Sequence, residues 1–127
     1  MLDGKLRTRL RTLIDESQAT SPDLRAIGAP YGGLLRVYAD AGGMLLVDEC
    51  GRVFSLEHGS GEATPELDER WQRRALAFAA RKFPELAPLL PARTPKAIVC
   101  RDCNGSGSAI SAILCASCDG LGWLDGP

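Results

Sequence analysis

The sequence predicts a small α+β protein: a helix-rich domain with a β-hairpin over residues 1–92, followed by a C-terminal four-cysteine zinc knuckle over residues 93–127, called the cysteine module. Three observations predict this arrangement. Apolar residues recur at helical spacing in several segments, two short runs of strand-forming residues flank a turn, and two Cys-x-x-Cys pairs close the chain. At 127 residues the chain can hold one compact domain and one small module.

The first predicted helix covers residues 2–18, where four apolar side chains recur at helical spacing: Leu6, Leu10, Leu13 and Ile14. Basic residues lie on the opposite side, and nearby acidic residues offset part of their positive charge, so we interpret that side as a solvated face. Ser21-Pro22 is a helix-start signal, because a hydroxyl precedes proline at the first helical position. A short second helix ending near Ile27 is therefore expected.

A third helix is predicted over residues 30–39, with an apolar side formed by Leu34, Leu35, Val37 and Tyr38 and with Gly42-Gly43 ending it. Residues 44–47 and 53–56 are then predicted to be paired strands. The turn between them contains Gly51, which suits left-handed backbone geometry. A two-stranded hairpin is rarely stable alone, so we expect it to pack on helices or on further strands.

The clearest helical pattern begins at Thr64-Pro65 and ends before Pro84. Its predicted buried stripe consists of Leu67, Trp71, Ala75, Phe78 and Ala79. Residues 85–90 can add one helical turn. Two prolines within residues 91–95 then predict an extended linker to the cysteine module.

Four of the five cysteines lie in two copies of one phrase, Cys-x-x-Cys-x-Gly-x-Gly, over residues 100–107 and 115–122. We call these the first and second repeats. Two such pairs separated by eleven residues are typical of one tetrahedral zinc site with four thiolates: Cys100, Cys103, Cys115 and Cys118. The glycines strengthen the prediction, because positive φ angles after each pair would let backbone amides point back at the sulfurs. A thioredoxin-like redox motif is the alternative, and the symmetry of the two repeats disfavours it.

The repeats resemble the cysteine-rich region of DnaJ-type co-chaperones, over roughly residues 98–124. Those proteins carry four such repeats and build each zinc site from two that are not adjacent, so two repeats imply one site here. DnaJ proteins also carry a J-domain with a His-Pro-Asp loop. The only histidine in this chain is His58, and Gly59 follows it, so stimulation of a heat-shock ATPase is not implied.

The order of elements in residues 1–92 is similar to a shortened SUKH (Smi/Knr-like) domain, a superfamily found in many bacterial immunity proteins. The matching stretch is residues 34–43, where a predicted helix runs into a glycine-containing loop and then into the hairpin. The sequence departs from the family at Ala41-Gly42, which replaces the common asparagine-glycine. This resemblance implies a protein that neutralises a toxin by binding it, without catalysis.

Charge and hydropathy limit the possible functions. The formal net charge is −1, which gives nucleic acid no general attraction. The tail from Lys96 holds two basic and three acidic residues, and four thiolates around a divalent ion would make it more negative. No stretch has the length of a membrane span or the position of a signal peptide, so we expect a cytoplasmic protein with metal-bound cysteines, not disulfides. Cys50 and His58 are interpreted as a free turn thiol and a surface side chain.

These patterns predict a non-enzymatic zinc-binding protein that acts by contact with another protein. Four thiolates leave zinc no open position, and no Ser/His/Asp set is recognisable. An immunity-type, toxin-neutralising role is one hypothesis; the alternatives are a chaperone-like binder of apolar segments and an RNA-binding regulator. The predicted partner-binding residues are Leu121 and Trp123, because an apolar cluster in so small a module must pack on the body or on a partner. The other members of that cluster are Ile98, Val99, Ile110, Ile113 and Leu114.

Overall fold

The computed structural model describes residues 3–108 and 114–125. They form two compact units, Met1–Leu67 and Asp68–Pro127. The first contains two helices and an antiparallel sheet; the second contains one long helix and the cysteine module. The predicted α+β class is confirmed.

Two capped helices open the first unit. Helix α1 spans Gly4–Ala19, and the side chain of Asp3 caps it by accepting a hydrogen bond from the Leu6 amide at 2.8 Å. Helix α2 spans Pro22–Gly28 and is capped by Ser21. Both predictions are confirmed. The apolar residues that predicted α1 are all buried: Leu6, Leu10, Leu13 and Ile14.

A four-stranded antiparallel sheet follows, with strands in the order β1-β2-β3-β4. The strands span Leu35–Asp40 (β1), Gly43–Val47 (β2), Val53–Glu57 (β3) and Thr64–Pro65 (β4). The predicted hairpin is confirmed as β2 and β3, which pair from Val47 with Val53 to Gly43 with Glu57. A hydrophobic core lies between α2 and this sheet, formed by Leu24, Leu34, Leu46, Phe54, Leu56 and Ala63.

The helix predicted over residues 30–39 is wrong. Only a 3-10 turn at Ala29–Tyr31 is helical, and the remainder is strand β1. Burial alternates along the strand, since Leu35 and Val37 are buried while Arg36 between them is exposed. A β-branched residue and a tyrosine suit that geometry, and pairing with β2 satisfies the backbone. The period-2 pattern was masked by a short apolar run that also fits a helix.

The turn between β2 and β3 is organised by Asp48, whose carboxylate is almost wholly buried. Its oxygens accept hydrogen bonds from the amides of Cys50 and Arg52, both at 2.9 Å, and from Arg52 Nε at 2.7 Å. Gly51 has a φ of 79°, as predicted for this turn. The sequence predicted the turn but not the role of Asp48.

Helix α3 spans Glu69–Lys82 and begins four residues later than predicted. Thr64–Pro65 pairs with β3, and the cap is Asp68, which accepts from the Arg70 amide at 2.8 Å. The predicted buried stripe is therefore wrong at its first two positions, since Leu67 is 87% and Trp71 39% exposed, whereas Ala75 and Ala79 are fully buried. The helix ends before Pro84, as predicted.

The rest of the second unit contains a 3-10 segment, Pro84–Leu89, and two short paired strands, β5 (Ala97–Val99) and β6 (Trp123–Asp125). The 3-10 segment confirms the helical turn predicted there. The division between the units falls after Leu67, so α3 shares its unit with the cysteines. Independent folding of residues 1–92 and 93–127 stays a prediction. Within the described residues, no helix is both long enough and apolar enough to cross a membrane.

Candidate metal centre

The four predicted ligands lie together. All four sulfurs lie within 4.8 Å of one another, and all four side chains are buried: Cys100, Cys103, Cys115 and Cys118. Two of the sulfur–sulfur distances are 3.8 Å, between Cys100 and Cys115, and 3.7 Å, between Cys103 and Cys118. A tetrahedral site with metal–sulfur bonds of about 2.3 Å has edges of about 3.8 Å. The spacing therefore fits one four-coordinate metal ion.

The two repeats have the same backbone geometry, offset by 15 residues. In each, the amide two positions after the second cysteine donates to the carbonyl of the first cysteine, at 3.1 Å. Each repeat is also joined to the other, because Cys100 N donates to Gly122 O at 3.0 Å and Cys115 N donates to Gly107 O at 2.9 Å. The two repeats are thus nearly equivalent knuckles, and each donates one matching backbone hydrogen bond to the other.

Backbone amides donate to two of the sulfurs. The Gly107 amide lies 3.3 Å from Cys103 Sγ, and the Gly122 amide lies 3.2 Å from Cys118 Sγ. Both glycines have positive φ angles, 76° and 87°. This confirms the interpretation of the glycines: they turn the chain so that its amides stabilise negative charge on the ligands.

The surroundings separate the acidities of the metal-free thiols. Burial opposes ionisation of Cys103, but the Gly107 amide and the neighbouring thiols outweigh it and lower its pKa to about 7. Burial raises the pKa of Cys118 to about 12 and also raises that of Cys100. Cys103 is therefore the more acidic thiol, and metal binding must displace protons from the less acidic Cys118 and Cys100.

The backbones of the two repeats touch directly. A Cβ atom at Gly107 would lie 2.4 Å from Gly120 O, and one at Gly122 would lie 2.5 Å from Gly105 O. No side chain fits at either position. Glycine is thus required at the end of each repeat for two reasons: the positive φ angle and the close approach of the other repeat's backbone.

Short strands close the module around the knuckles. β5 pairs with β6 so that Val99 faces Trp123 and Ala97 faces Asp125. The Thr94 hydroxyl adds a hydrogen bond to the Asp125 carboxylate at 3.0 Å. Between the repeats, Ser117 donates a hydrogen bond to Asp102.

The predicted partner-binding residues Leu121 and Trp123 are both half-buried. The apolar side chains that lie more open are Ile98 and Val99 on β5, which are 49% and 52% exposed. Ile110 and Ile113 fall outside the described residues, and Leu114 is buried. A partner-binding role for Leu121 and Trp123 stays a prediction.

Sequence reasoning missed the role of Asp119, which directly follows Cys118. Asp119 is 6% exposed, and its carboxylate accepts hydrogen bonds from three arginines of α3: Arg70, Arg73 and Arg74. The available signal was the spacing of these arginines, which places them on one helical face. The acid and the arginines are 45–49 residues apart in sequence, so only tertiary structure brings them together.

Cys50 and His58 are both exposed and lie in turns of the first unit. This agrees with their interpretation as a free thiol and a surface imidazole.

Comparison with models of protein families, with curated proteins and with solved structures finds no match to this chain. The DnaJ resemblance thus rests on the two repeats alone. The SUKH resemblance loses part of its basis, because residues 35–40 form a strand where the resemblance requires a helix.

Proposed function

We propose that this chain is a non-enzymatic protein whose cysteine module folds around one structural zinc ion and which acts by contact with another protein. The observation that carries the proposal is the set of four buried sulfurs at tetrahedral spacing, two of them accepting backbone amides. A module this short has too few residues for a hydrophobic core of its own, so metal binding is the expected source of its folding energy.

The donor set supports zinc in a structural role. Four sulfurs in a tetrahedron suit zinc or iron, and zinc is the usual occupant of four-thiolate knuckles. A site with four protein ligands leaves no coordination position for water or substrate. The ion would therefore stabilise the fold, and catalysis at the metal is disfavoured.

The surface of the module supports protein contact. Val99 on β5 is about half exposed and pairs with half-buried Trp123 on β6, and Ile98, on the opposite face of β5, is exposed to a similar degree. An RNA-binding regulator is the less favoured class, because the three basic and three acidic residues of the module cancel in charge and a four-thiolate zinc centre adds two negative charges. Three arginines of α3 face Asp119 and are already paired.

Two finer roles follow from the sequence resemblances. The SUKH resemblance suggests an immunity-type protein that neutralises a toxin by binding it. The DnaJ resemblance suggests a chaperone-like binder of apolar segments. The module's apolar strand suits either partner, so the proposal is stated as protein contact.

The test of the contact surface compares two tryptophan variants. Trp123→Ala removes the aromatic side chain of β6, and Trp71→Ala is the matched control on α3, outside the module. If Trp123 is an interface anchor, its variant keeps its thermal stability and loses at least tenfold in partner affinity, about 1.4 kcal/mol. The control should keep its affinity. Binding that weakens steeply with added salt would indicate a phosphate-bearing partner and contradict the proposal.

A further inference from the structure

We propose that Asp119 and the three arginines of α3 form a latch that couples metal binding in the cysteine module to the docking of helix α3. The inference rests on the proposed metal site and extends it, because it adds helix α3 to the groups that support the metal ligands from outside. We call the four residues the latch: Arg70, Arg73, Arg74 and Asp119.

The geometry of the latch uses both carboxylate oxygens. Arg70 Nε lies 2.8 Å and Arg74 Nε lies 3.0 Å from Asp119 Oδ1, while Arg73 Nη2 lies 3.2 Å from Oδ2. Arg70 also donates through Nη2 to the carbonyl of Ala116 at 2.7 Å. Helix α3 therefore holds the second repeat both between its cysteines and directly after them. Burial opposes ionisation of Asp119, but hydrogen bonds from the three arginines outweigh burial and hold its pKa below the usual range.

Comparison of the two repeats shows that the carboxylate is not needed to form a knuckle. The equivalent residue of the first repeat is Asn104, with a φ of 54° against 55° at Asp119. Asn104 is exposed, whereas Asp119 is buried against α3. An asparagine thus satisfies the same backbone. The charge at Asp119 is explained by the arginines that it binds.

The following glycines differ in the same way. A Cβ atom at Gly120 would lie 2.9 Å from the Cβ of Ala77 on α3, while one at the equivalent Gly105 would meet only Val99, at 3.4 Å, and Gly122 O, at 3.8 Å. One helical face of α3 therefore contacts the second repeat through arginines and, further along, through a buried alanine. The first repeat has no such neighbour among the described residues.

The charges of the latch predict how it affects metal affinity. Four thiolates and a divalent cation carry a net charge of −2, and Asp119 adds one more negative charge beside them. Three guanidinium groups offset this charge, so their loss should weaken the binding of the metal. Because coupling between two equilibria is reciprocal, release of the metal should also loosen α3. Groups that support metal ligands from outside typically contribute 10- to 100-fold to metal affinity.

The primary test measures zinc affinity of the full chain by competition with a chromophoric chelator. Asp119→Asn keeps the backbone geometry that Asn104 shows is compatible with asparagine, and we expect it to weaken zinc binding at least tenfold. Asp125→Asn is the control. It removes the same charge from the same module, but the Asp125 carboxylate accepts a hydrogen bond from Thr94 and not from an arginine of the latch. Co²⁺ absorption of the loaded Asp119→Asn variant should be unchanged, since the four ligands are intact.

A double-mutant cycle separates the latch from a simple charge effect. Arg70→Gln/Arg74→Gln should weaken zinc binding by a similar factor, and the combination with Asp119→Asn should be little worse than either alone. Additive effects, or affinities equal to that of the unsubstituted chain, would overturn the latch. Failure of the unsubstituted chain to bind zinc would instead overturn the proposed metal site and this inference with it.

Amide hydrogen exchange gives a second readout. Chelation of the metal should increase exchange in residues 69–82 of α3 as well as in the repeats, while α1 serves as the internal control. The alternative is the boundary predicted from sequence at residue 93, under which α3 keeps its protection after chelation. Unchanged protection of α3 would contradict the latch.

Discussion

Substitution of Gly107 by alanine tests the account of why each repeat ends in glycine. Gly107 has a φ of 76°, and an added Cβ would lie 2.4 Å from Gly120 O. The left-handed conformation alone costs a non-glycine residue about 1–2 kcal/mol. The repeats must also move apart, which weakens the amide bond to Cys103 Sγ; a hydrogen bond to a charged group is worth about 1.5–3 kcal/mol.

The matched control is Gly105→Ala in the same repeat. Its φ of 81° is nearly the same, but its Cβ would meet no atom closer than 3.4 Å. Because metal binding drives the folding of this module, strain in the folded form appears as lost metal affinity. We expect zinc binding to weaken about 5- to 30-fold in Gly105→Ala, from the backbone cost alone. For Gly107→Ala, the sum of about 2.5–5 kcal/mol predicts a loss on the order of 60- to 4,000-fold.

The assay is a zinc competition titration, with circular dichroism to confirm that the first unit is folded. By the equivalence of the repeats, Gly122→Ala should behave like Gly107→Ala. Equal affinities in Gly105→Ala and Gly107→Ala would refute the reasoning, because they would show that the close contact between the repeats has no energetic consequence.

Three further predictions concern acidity, the first unit and the module surface. Because the pKa values of Cys118 and Cys100 are raised without the metal, zinc binding at pH 7.5 should release at least these two protons, and zinc affinity should fall as the pH is lowered. Calorimetry in buffers of different ionisation enthalpy measures the number of protons released. A zinc affinity that does not change with pH would contradict this prediction. Asp48→Ala removes the buried acceptor of three hydrogen bonds in the β2–β3 turn and should destabilise the first unit by about 2–3 kcal/mol in urea unfolding. The control is Asp40→Ala, which also removes the acceptor of three hydrogen bonds, but an exposed one. Equal stability of the two variants would refute the role of burial at Asp48. Trp123→Ala should weaken partner binding without a loss of thermal stability, and a lowered melting temperature with unchanged affinity would show that Trp123 packs within the chain instead.

The sequence predicted features that depend on local patterns. The capped helices α1 and α2, the β2–β3 turn and the four ligands were all expected because caps, turn glycines and cysteine spacing act within a few residues. Even the amide bonds to Cys103 and Cys118 followed from the glycines of the repeats.

The errors arose where tertiary pairing overrides local preference. Residues 35–40 fit a helical pattern, but pairing with β2 makes them a strand. Thr64-Pro65 has the form of a helix start, yet it pairs with β3, and the cap moves to Asp68. The contacts of Asp119 could not be predicted, because its arginine partners lie on a distant helix whose orientation the sequence does not specify.

The central claim is a single metal ion held by four cysteines, and metal analysis combined with X-ray absorption tests it most directly. The account predicts one zinc ion per chain with four sulfur ligands at about 2.3 Å. Loss of the metal from variants in which serine replaces Cys100 or Cys115 would agree with this. A metal-free protein with a Cys103–Cys118 disulfide, or a metal with nitrogen or oxygen ligands, would contradict it.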